Sequence, residues 1–247
     1  MQTPLKVLLT RPLTQVKALE SLIVDSGHQP LLFPTLEVKA IEASVQHKQY
    51  DAVIFISANA ATHGLALLNT IKPLKVFAVG AATAKKLNDY GVYVDDFPKE
   101  NASSEALLAL DSVSCLHAKN ILIFRGKGGR ETLRIGLQKN QNQVEYVEVY
   151  ERITCALTPA HRNSLTEFMT DSQGIISITS NENIDGLLAL VKQLGCLEPL
   201  MKYPLVVLSQ RIQKYALSLG FTQVIVTTDT SDEAIASVLE SMNTLDN

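Results

Sequence analysis

Ala52-Val53-Ile54-Phe55-Ile56-Ser57-Ala58-Asn59-Ala60-Ala61 is an apolar run that ends in a serine and opens into a segment of helical period. The chain makes the same move again at Ile175-Ile176-Ser177-Ile178-Thr179-Ser180-Asn181. In each copy Leu-Ala-Leu follows the serine eight residues later, at 65–67 and at 188–190. Working outward, the agreement keeps its order. Val76 to Gly80 with Lys85 and Gly91 is echoed by Leu205 to Ser209 with Lys214 and Gly220. Ser103-Ser104-Glu105-Ala106-Leu107 is echoed by Ser231-Asp232-Glu233-Ala234-Ile235. Val7-Leu8-Leu9-Thr10-Arg11 with Leu19 and Ile23 sits over Ile121-Leu122-Ile123-Phe124-Arg125 with Leu133 and Leu137. Two half-chains therefore repeat one αβ plan.

Short apolar runs alternating with helical segments are the pattern of a parallel sheet covered by helices on both faces. Strands are expected at Val7–Thr10, Gln29–Phe33, Ala52–Ser57, Val76–Val79, Tyr93–Asp96, Ile121–Arg125, Val144–Tyr150, Ile175–Thr179, Leu205–Leu208 and Val224–Thr227. Helices fill the gaps. One begins near Ser57 with Ala61, Leu65 and Leu68 on a common face, and one near Ser180 with Ile184, Leu187, Leu188 and Val191.

The repeat permits a domain from each half-chain, or two domains that exchange their first strand-helix-strand units. Connection lengths decide between them. An αβ connection usually runs roughly 2 to 6 residues, yet a long link follows Pro34 and another runs from Glu151 to about Gln173 with one short helix near Pro159–Met169. The helix after Ser103, by contrast, reaches the strand at Ile121 through a short loop. The expected fold is two doubly wound, flavodoxin-like parallel-sheet α/β domains. One is discontinuous, residues 1–34 plus 154–247; the other, 38–150, is inserted in it; 35–37 and 151–153 are linkers running side by side as a hinge.

Size and composition agree, since 247 residues with 46% hydrophobic content bury a real core. A formal net charge of -3 with no block of like charges gives no basis for nucleic-acid or membrane-surface binding. The stretch Met1–Leu9 carries no leader pattern, and no run of about 18 apolar residues occurs, so a cytoplasmic location without membrane spans is expected. Cys115, Cys155 and Cys196 lie far apart without a C-x-x-C and read as free thiols. His28, His47, His63, His117 and His161 make no metal-ligand spacing, so no metal is implied. No apolar stripe is left over once the sheet-covering faces are assigned, which favours a monomer.

In doubly wound sheets ligands lie beyond the carboxyl ends of the strands, where helix N-termini present unpaired N–H groups. The distinctive residues fall there: Thr10-Arg11, Ser57-Ala58-Asn59, Gly80-Ala81-Ala82-Thr83, Arg125-Gly126-Lys127-Gly128-Gly129-Arg130, Ser180-Asn181 and Ser209-Gln210-Arg211. Six such turns from two domains are candidates to face one another. Each has a plainer reading. Ser57, Ser180 and Ser209 are the residue type that caps helices; Thr83 fits a first helical turn and Gly80 a tight turn. The glycines at 126, 128 and 129 lack the following Lys-Ser/Thr of a phosphate loop and the G-x-G-x-x-G spacing. The cations Arg125, Lys127 and Arg130 around them suit either an anion site or a solvated basic loop.

Tyr150 ends the strand that begins at Val144 and enters the second long connection. A tyrosine hydroxyl keeps its proton at neutral pH and can donate it, so Tyr150 is the candidate acid; the other reading is a half-buried tyrosine with a wet hydroxyl. There is no G-x-S-x-G elbow, no cysteine placed by motif near a histidine and no carboxylate pair at a telling spacing.

Taken in order and spacing, the chain resembles the uroporphyrinogen-III synthase family over essentially its full length. The features that carry this are Val7-Leu8-Leu9-Thr10-Arg11-Pro12, Asp51 through Ser57 with Asn59, Ala78-Val79-Gly80-Ala81-Ala82-Thr83-Ala84, Ile121 through Glu131 with Val149-Tyr150-Glu151-Arg152, and finally Ser180 and Ser209-x-Arg211. Asn140-Gln141-Asn142 stands where the family usually has a glycine before the strand at Val144; asparagine tolerates the left-handed conformation. The resemblance implies two αβ domains joined by a two-stranded linker. It also implies the cyclisation and dehydration of hydroxymethylbilane, a linear tetrapyrrole, with inversion of its last ring through a spiro intermediate, and no cofactor. Tyr150 is the residue the resemblance suggests for assisting departure of the hydroxyl. Backbone N–H groups, Arg and Lys would grip the substrate's carboxylates.

Two rivals give different expectations. A hinged two-domain protein that captures an anion without catalysis leaves only spontaneous isomer I from hydroxymethylbilane. A nucleotide-sugar transferase binds a nucleotide, for which no acidic residue is clearly placed.

Overall fold

The computed structural model describes residues 4–170 and 173–245. The chain divides into two compact units: residues up to Glu37 with those from Ile153 onward, and Val38–Arg152. In chain order, β1 (Lys6–Leu9), α1 (Lys17–Asp25) and β2 (Gln29–Leu32) begin the discontinuous unit, and β3 (Leu36–Ala40) crosses its boundary. Next come β4 (Ala52–Phe55), α2 (Ala58–Leu68), β5 (Lys75–Ala78), α3 (Ala81–Asp89), α4 (Ser104–Leu108), α5 (Asp111–Ser114), β6 (Asn120–Gly126) and α6 (Thr132–Gln138), after which β7 (Gln143–Thr154) crosses back. The remaining elements are α7 (Pro159–Phe168), β8 (Gly174–Ile178), α8 (Asn181–Gln193), α9 (Leu197–Leu200), β9 (Leu205–Val207), α10 (Gln210–Ser218), β10 (Val224–Val226) and α11 (Asp232–Leu245).

The discontinuous unit's sheet runs β10-β9-β8-β1-β2, all parallel. Counted within that unit alone, the order is 2-1-3-4-5, a doubly wound sheet whose switch point lies between β1 and β8. Alternate residues of its strands feed different cores, as a sheet covered on both faces requires. Leu8, Ile176, Ile178 and Val207 pack with α7 and α8 through Leu165, Phe168, Ile184 and Leu187. Val7, Leu9, Ile175 and Val206 pack with α1 and α11 through Leu19, Ile23, Ile235 and Leu239.

The inserted unit's sheet runs β3-β7-β6-β4-β5. Since β6 and β7 correspond in the repeat to β1 and β2, β7-β6-β4-β5 is the same 2-1-3-4 order. Its fifth strand, expected at Tyr93–Asp96, does not form; only an isolated bridge pairs Phe77 with Asp96. Two backbone bonds to β5 form, from the Asp95 N–H to Val76 O at 2.8 Å and from the Ala78 N–H to Asp96 O at 3.3 Å, but carboxylates compete for the others. Asp95 accepts from the Val76 N–H at 2.7 Å, and Asp96 accepts from the Phe97 N–H at 2.9 Å and the Ser112 hydroxyl at 2.6 Å. The long link after Pro34, by contrast, contains a strand. β3 runs antiparallel to β7, with the Ile41 N–H donating to Val149 O and the Cys155 N–H to Thr35 O, both at 3.0 Å. The helix expected after Ser103 is also two pieces, because Leu110 adopts φ -67 and ψ 134 between α4 and α5. Leu107 and Val113 both reach one core cluster, which a single straight helix would place on different faces.

Before β7, the left-handed residue is Gln141, at φ 59, rather than an asparagine. Asn142 is instead buried. Its amide donates to Leu116 O and Leu137 O at 2.9 Å each, and its oxygen accepts from the Lys119 N–H at 2.9 Å.

At the foot of β4, Asp51 clamps β6. Its carboxylate accepts from the Asn120 N–H at 2.9 Å and lies 3.3 Å from Lys119 Nζ. The Asn120 N–H, with Lys119 adding to it, holds this carboxyl below its usual range. A folded value below the unfolded one contributes stability above the ordinary carboxylate range and loses it as pH falls through the folded value. Asp51→Asn is therefore expected to flatten the loss of stability on acidification below about pH 4. Urea midpoints across that range check this, and slopes identical to the parent's would refute it.

Candidate active site

On the inserted unit, the carboxyl ends of β6, β4 and β5 set Gly126, Ser57 and Gly80 along one rim in strand order; Tyr150, expected to end its strand, lies within β7, which runs on to Thr154, and pairs with Gly126 at the same level. Ser57 leaves β4 in extended conformation, φ -166 and ψ 161, and caps α2 by accepting the Ala60 N–H at 3.0 Å. Ala58 and Asn59 form the half-buried first turn behind it. Gly80 caps α3 in extended conformation, where a Cβ would lie 2.4 Å from that of Ala102, so close packing rather than backbone strain demands glycine. Thr83 is buried in that first turn and Ala82 is exposed.

Tyr150 reaches this rim through an irregularity in β7. Val147 and Val149 face the core beneath α2, and Tyr146 packs with the cluster on the other face, so strict alternation would send Tyr150 after Tyr146. The register shifts there: Arg125 pairs with Glu148, but Gly126 pairs with Tyr150, leaving Val149 as the extra residue of a bulge. The bulge turns Tyr150 into the core cluster of Val147 and Val149, on the Ser57 side. Its hydroxyl lies 3.1 Å from Ser57 Oγ, and its carbonyl accepts the Lys127 N–H at 2.7 Å. A Cβ on Gly126 would come within 2.6 Å of the ring, so the glycine makes the ring's seat. The His63 ring centre lies 6.0 Å from that of Tyr150.

The basic loop divides into inward and outward cations. Arg125, one of the cations expected to line an anion site or a solvated loop, is 4% exposed and turned inward. It donates to Glu131 Oε1 at 3.1 Å and Gly126 O at 3.2 Å, lies 3.7 Å from Glu148, and stacks 4.2 Å over the Tyr146 ring. The site therefore gains a rigid loop from Arg125 rather than a free guanidinium. Gly128 and Gly129 adopt φ 76 and 104, which carries the chain around it. Lys127 and Arg130 point outward, paired with Glu151 at 3.2 Å and Glu105 at 3.4 Å. Such exposed pairs contribute only ~0–1 kcal/mol, so neither cation is held tightly by its partner.

The discontinuous unit presents the counterpart. Thr10 is fully buried and donates to Ser177 O at 2.7 Å, so its hydroxyl ties β1 to β8 instead of meeting a ligand. Arg11 pairs with Asp232 at 2.5 Å. Ser180 caps α8 and Ser209 caps α10, accepting from the Asn183 and Ile212 N–H groups at 3.1 and 3.4 Å. Asn181 is half-buried with a buried, unpartnered Oδ1, while Gln210 and Arg211 are exposed. Asn183, a residue the sequence reading passed over, is the hub. Its amide donates to Thr10 O at 3.3 Å and Thr35 Oγ1 at 3.1 Å, and its Oδ1 accepts from Thr179 at 2.7 Å and Ser180 at 3.1 Å. The signal was present: Ser180-x-x-Asn183 against Ser57-x-x-Ala60 is a polar replacement on a buried repeat position.

Among the described residues no group of three or more His, Cys, Asp or Glu side chains is placed to hold a metal ion. What the rims offer is helix N-termini, outward cations and one tyrosine hydroxyl held by a serine cap. This defines an α/β protein of two doubly wound units, each presenting helix N-termini at its strand tips. The chain belongs to the uroporphyrinogen-III synthase family: the model of Uroporphyrinogen-III synthase HemD matches residues 17–237. The family converts hydroxymethylbilane to uroporphyrinogen III in heme biosynthesis. The chain is 27% identical over 249 residues to the uroporphyrinogen-III synthase of Salmonella typhimurium, covering 96% of this chain and 100% of that one. It is 28% identical over 164 residues to that of Escherichia coli K12, covering 66% of each. In fold it is similar to the crystal structure of uroporphyrinogen-III synthetase from Helicobacter pylori 26695, with TM-score 0.68 and 18% identity over 96% of this chain and 99% of that one.

Proposed function

We propose that this chain closes hydroxymethylbilane to uroporphyrinogen III with Tyr150 as the proton donor to the departing hydroxyl. The observation that carries the role is the seated hydroxyl: Tyr150 is 5% exposed, its ring is packed against Gly126 and its oxygen lies 3.1 Å from Ser57 Oγ. The C–O bond of the hydroxymethyl group breaks, its electron pair leaves with oxygen, and the Tyr150 proton completes a water molecule. The electron-rich pyrrole bears the resulting positive charge. The last ring attacks through its substituted carbon, the spiro intermediate rearranges, and the proton lost when the closed ring regains aromaticity returns to the phenolate. The reaction is redox-neutral and is written without a cofactor.

Holding the chain's end in the geometry for attack at the substituted carbon is the larger task, because unassisted closure gives isomer I. The first turns of α2 and α3, with Lys127 and Arg130, support binding of substrate acetates and propionates on the inserted unit. Ser180, Asn181, Ser209, Gln210 and Arg211 offer the same kinds of donor on the discontinuous unit, and Arg11 contributes after release from Asp232. We also assign the enzyme to the cytosol as a monomer. The free thiols Cys115, Cys155 and Cys196 support the first; exposed large apolar residues on separate elements, such as Val24, Leu74, Ile135 and Leu217, support the second. No helix among the described residues is long and apolar enough to cross a membrane.

Incubation with hydroxymethylbilane and separation of the product isomers tests the activity: isomer III supports it, and isomer I alone overturns it. Tyr150→Phe is expected to lower kcat by about 10²-fold, the lower end for general-acid catalysis because the leaving group is a good one. A full rate in that variant removes Tyr150 from the chemistry.

A further inference from the structure

The two halves of the repeat use the same cap differently. Ser180 and Ser57 leave their strands with nearly the same backbone, φ -157 ψ 163 and φ -166 ψ 161, and each accepts an N–H from the residue three positions on. A capping serine still has one hydrogen to give. In the discontinuous unit it goes to Asn183 Oδ1, 3.1 Å away, an atom that can only accept. In the inserted unit the corresponding residue is Ala60, which has no acceptor, and the atom at the equivalent distance is the Tyr150 hydroxyl, at 3.1 Å. The repeat thus supplies the direction of a bond that oxygen positions alone leave open.

We infer that Ser57 is a positioning residue for the reaction: its hydroxyl donates to Tyr150 Oη, so that the Tyr150 proton is directed away from the cap and towards the leaving group. Three features act together. The Ala60 N–H, 3.0 Å from Ser57 Oγ, draws electron density from that oxygen and makes its hydrogen a better donor. The N-terminus of α2, an 11-residue helix, lies behind the pair and favours negative charge on Tyr150 as its proton leaves. The bulge at Val149 and the seat at Gly126 hold the ring so that the bond is kept through the step. Without this donor the Tyr150 hydroxyl is free to spend its own proton on a neighbour.

This inference rests on Tyr150 being the acid, and the test separates the two. Titratable side chains around Tyr150 are His63 on α2, and Lys127 and Glu151 from the flanking strand ends, which pair with each other at 3.2 Å. All three are common to the variants compared, so a difference in kcat reports Ser57. Initial rates of isomer III formation are measured against substrate concentration for the parent, Ser57→Ala, Ser57→Thr and Tyr150→Phe. Ser57→Ala is expected to lower kcat roughly ten-fold with little change in KM. Ser57→Thr, which keeps both cap and donor, is expected to restore the rate. If Tyr150→Phe is slow while Ser57→Ala keeps the parent's kcat, the donor role of Ser57 is overturned and the acid stands. A Ser57→Ala defect confined to KM or to thermal stability also overturns it, by leaving only a cap. If Tyr150→Phe keeps the full rate, the acid assignment itself fails.

Discussion

Gly126→Ala is expected to lower kcat for isomer III formation by about 10³-fold, more than loss of the Tyr150 hydroxyl alone. The added methyl would sit 2.6 and 2.7 Å from ring carbons of Tyr150 and 3.0 Å from its oxygen, closer than side-chain carbons approach one another. The ring has no simple retreat, because it is 5% exposed and its backbone is tied to Lys127 by the 2.7 Å hydrogen bond. The bulge must therefore shift, moving the hydroxyl off Ser57 and disturbing the Arg125–Arg130 turn in the same step. Displacement of a reacting group by about 1 Å costs on the order of 10²-fold by itself. Stopped-time separation of isomers I and III measures the effect, with the circular dichroism of the variant as the control for folding. A folded Gly126→Ala enzyme within a few-fold of the parent's kcat would show that the seat is not needed.

Asn183→Leu is expected to destabilise the discontinuous unit by about 3 kcal/mol, the loss of several buried hydrogen bonds made by one side chain. Leucine has a similar volume, so the result reads polarity rather than a cavity. Asn183 is 2% exposed. Without it Thr179 and Ser180 lose their acceptor, and Thr35 Oγ1 and the Thr10 carbonyl lose a donor. Because two units need not unfold together, amide hydrogen exchange read separately in β1 and α8 and in β4 and β6 is the suitable measurement. Faster exchange confined to the first pair is the expected outcome; parent-like protection there would refute the hub.

Much of the architecture was legible in the sequence because it depends on periodicity. The apolar runs at Val7, Ala52, Ile121 and Ile175 are interior strands of sheets buried on both faces, where most residues are apolar and the signal is strongest. Ser57, Ser180 and Ser209 read as helix caps because capping is a local property of one residue and its next three, and each caps. What escaped was whatever depends on a partner distant in the chain. The strand β3 reads as a link, since its hydrogen bonds go to β7 more than 100 residues away. Tyr93–Asp96 has strand-like spacing, but aspartate side chains there compete for the strand's hydrogen bonds. A bulge leaves no mark on residue types, so the turning of Tyr150 onto the Ser57 side could not be read from Val147-Glu148-Val149-Tyr150. For the same reason the cations of residues 125–130 look alike in sequence, and only Glu131, Glu148 and the Tyr146 ring set Arg125 apart.

The pairing of β1 with both β2 and β8 has a bearing on biosynthesis. β1 occupies an interior place in its sheet, yet its partner Gly174–Ser177 emerges from the ribosome only after the entire inserted unit. Translation of that stretch lasts on the order of ten seconds, during which β1, α1 and β2 have no sheet to join. Val38–Arg152, being continuous, can complete itself in that interval. The nascent β1–α1–β2 unit must wait as an unsheltered apolar segment, and so it is where a chaperone would be expected to bind.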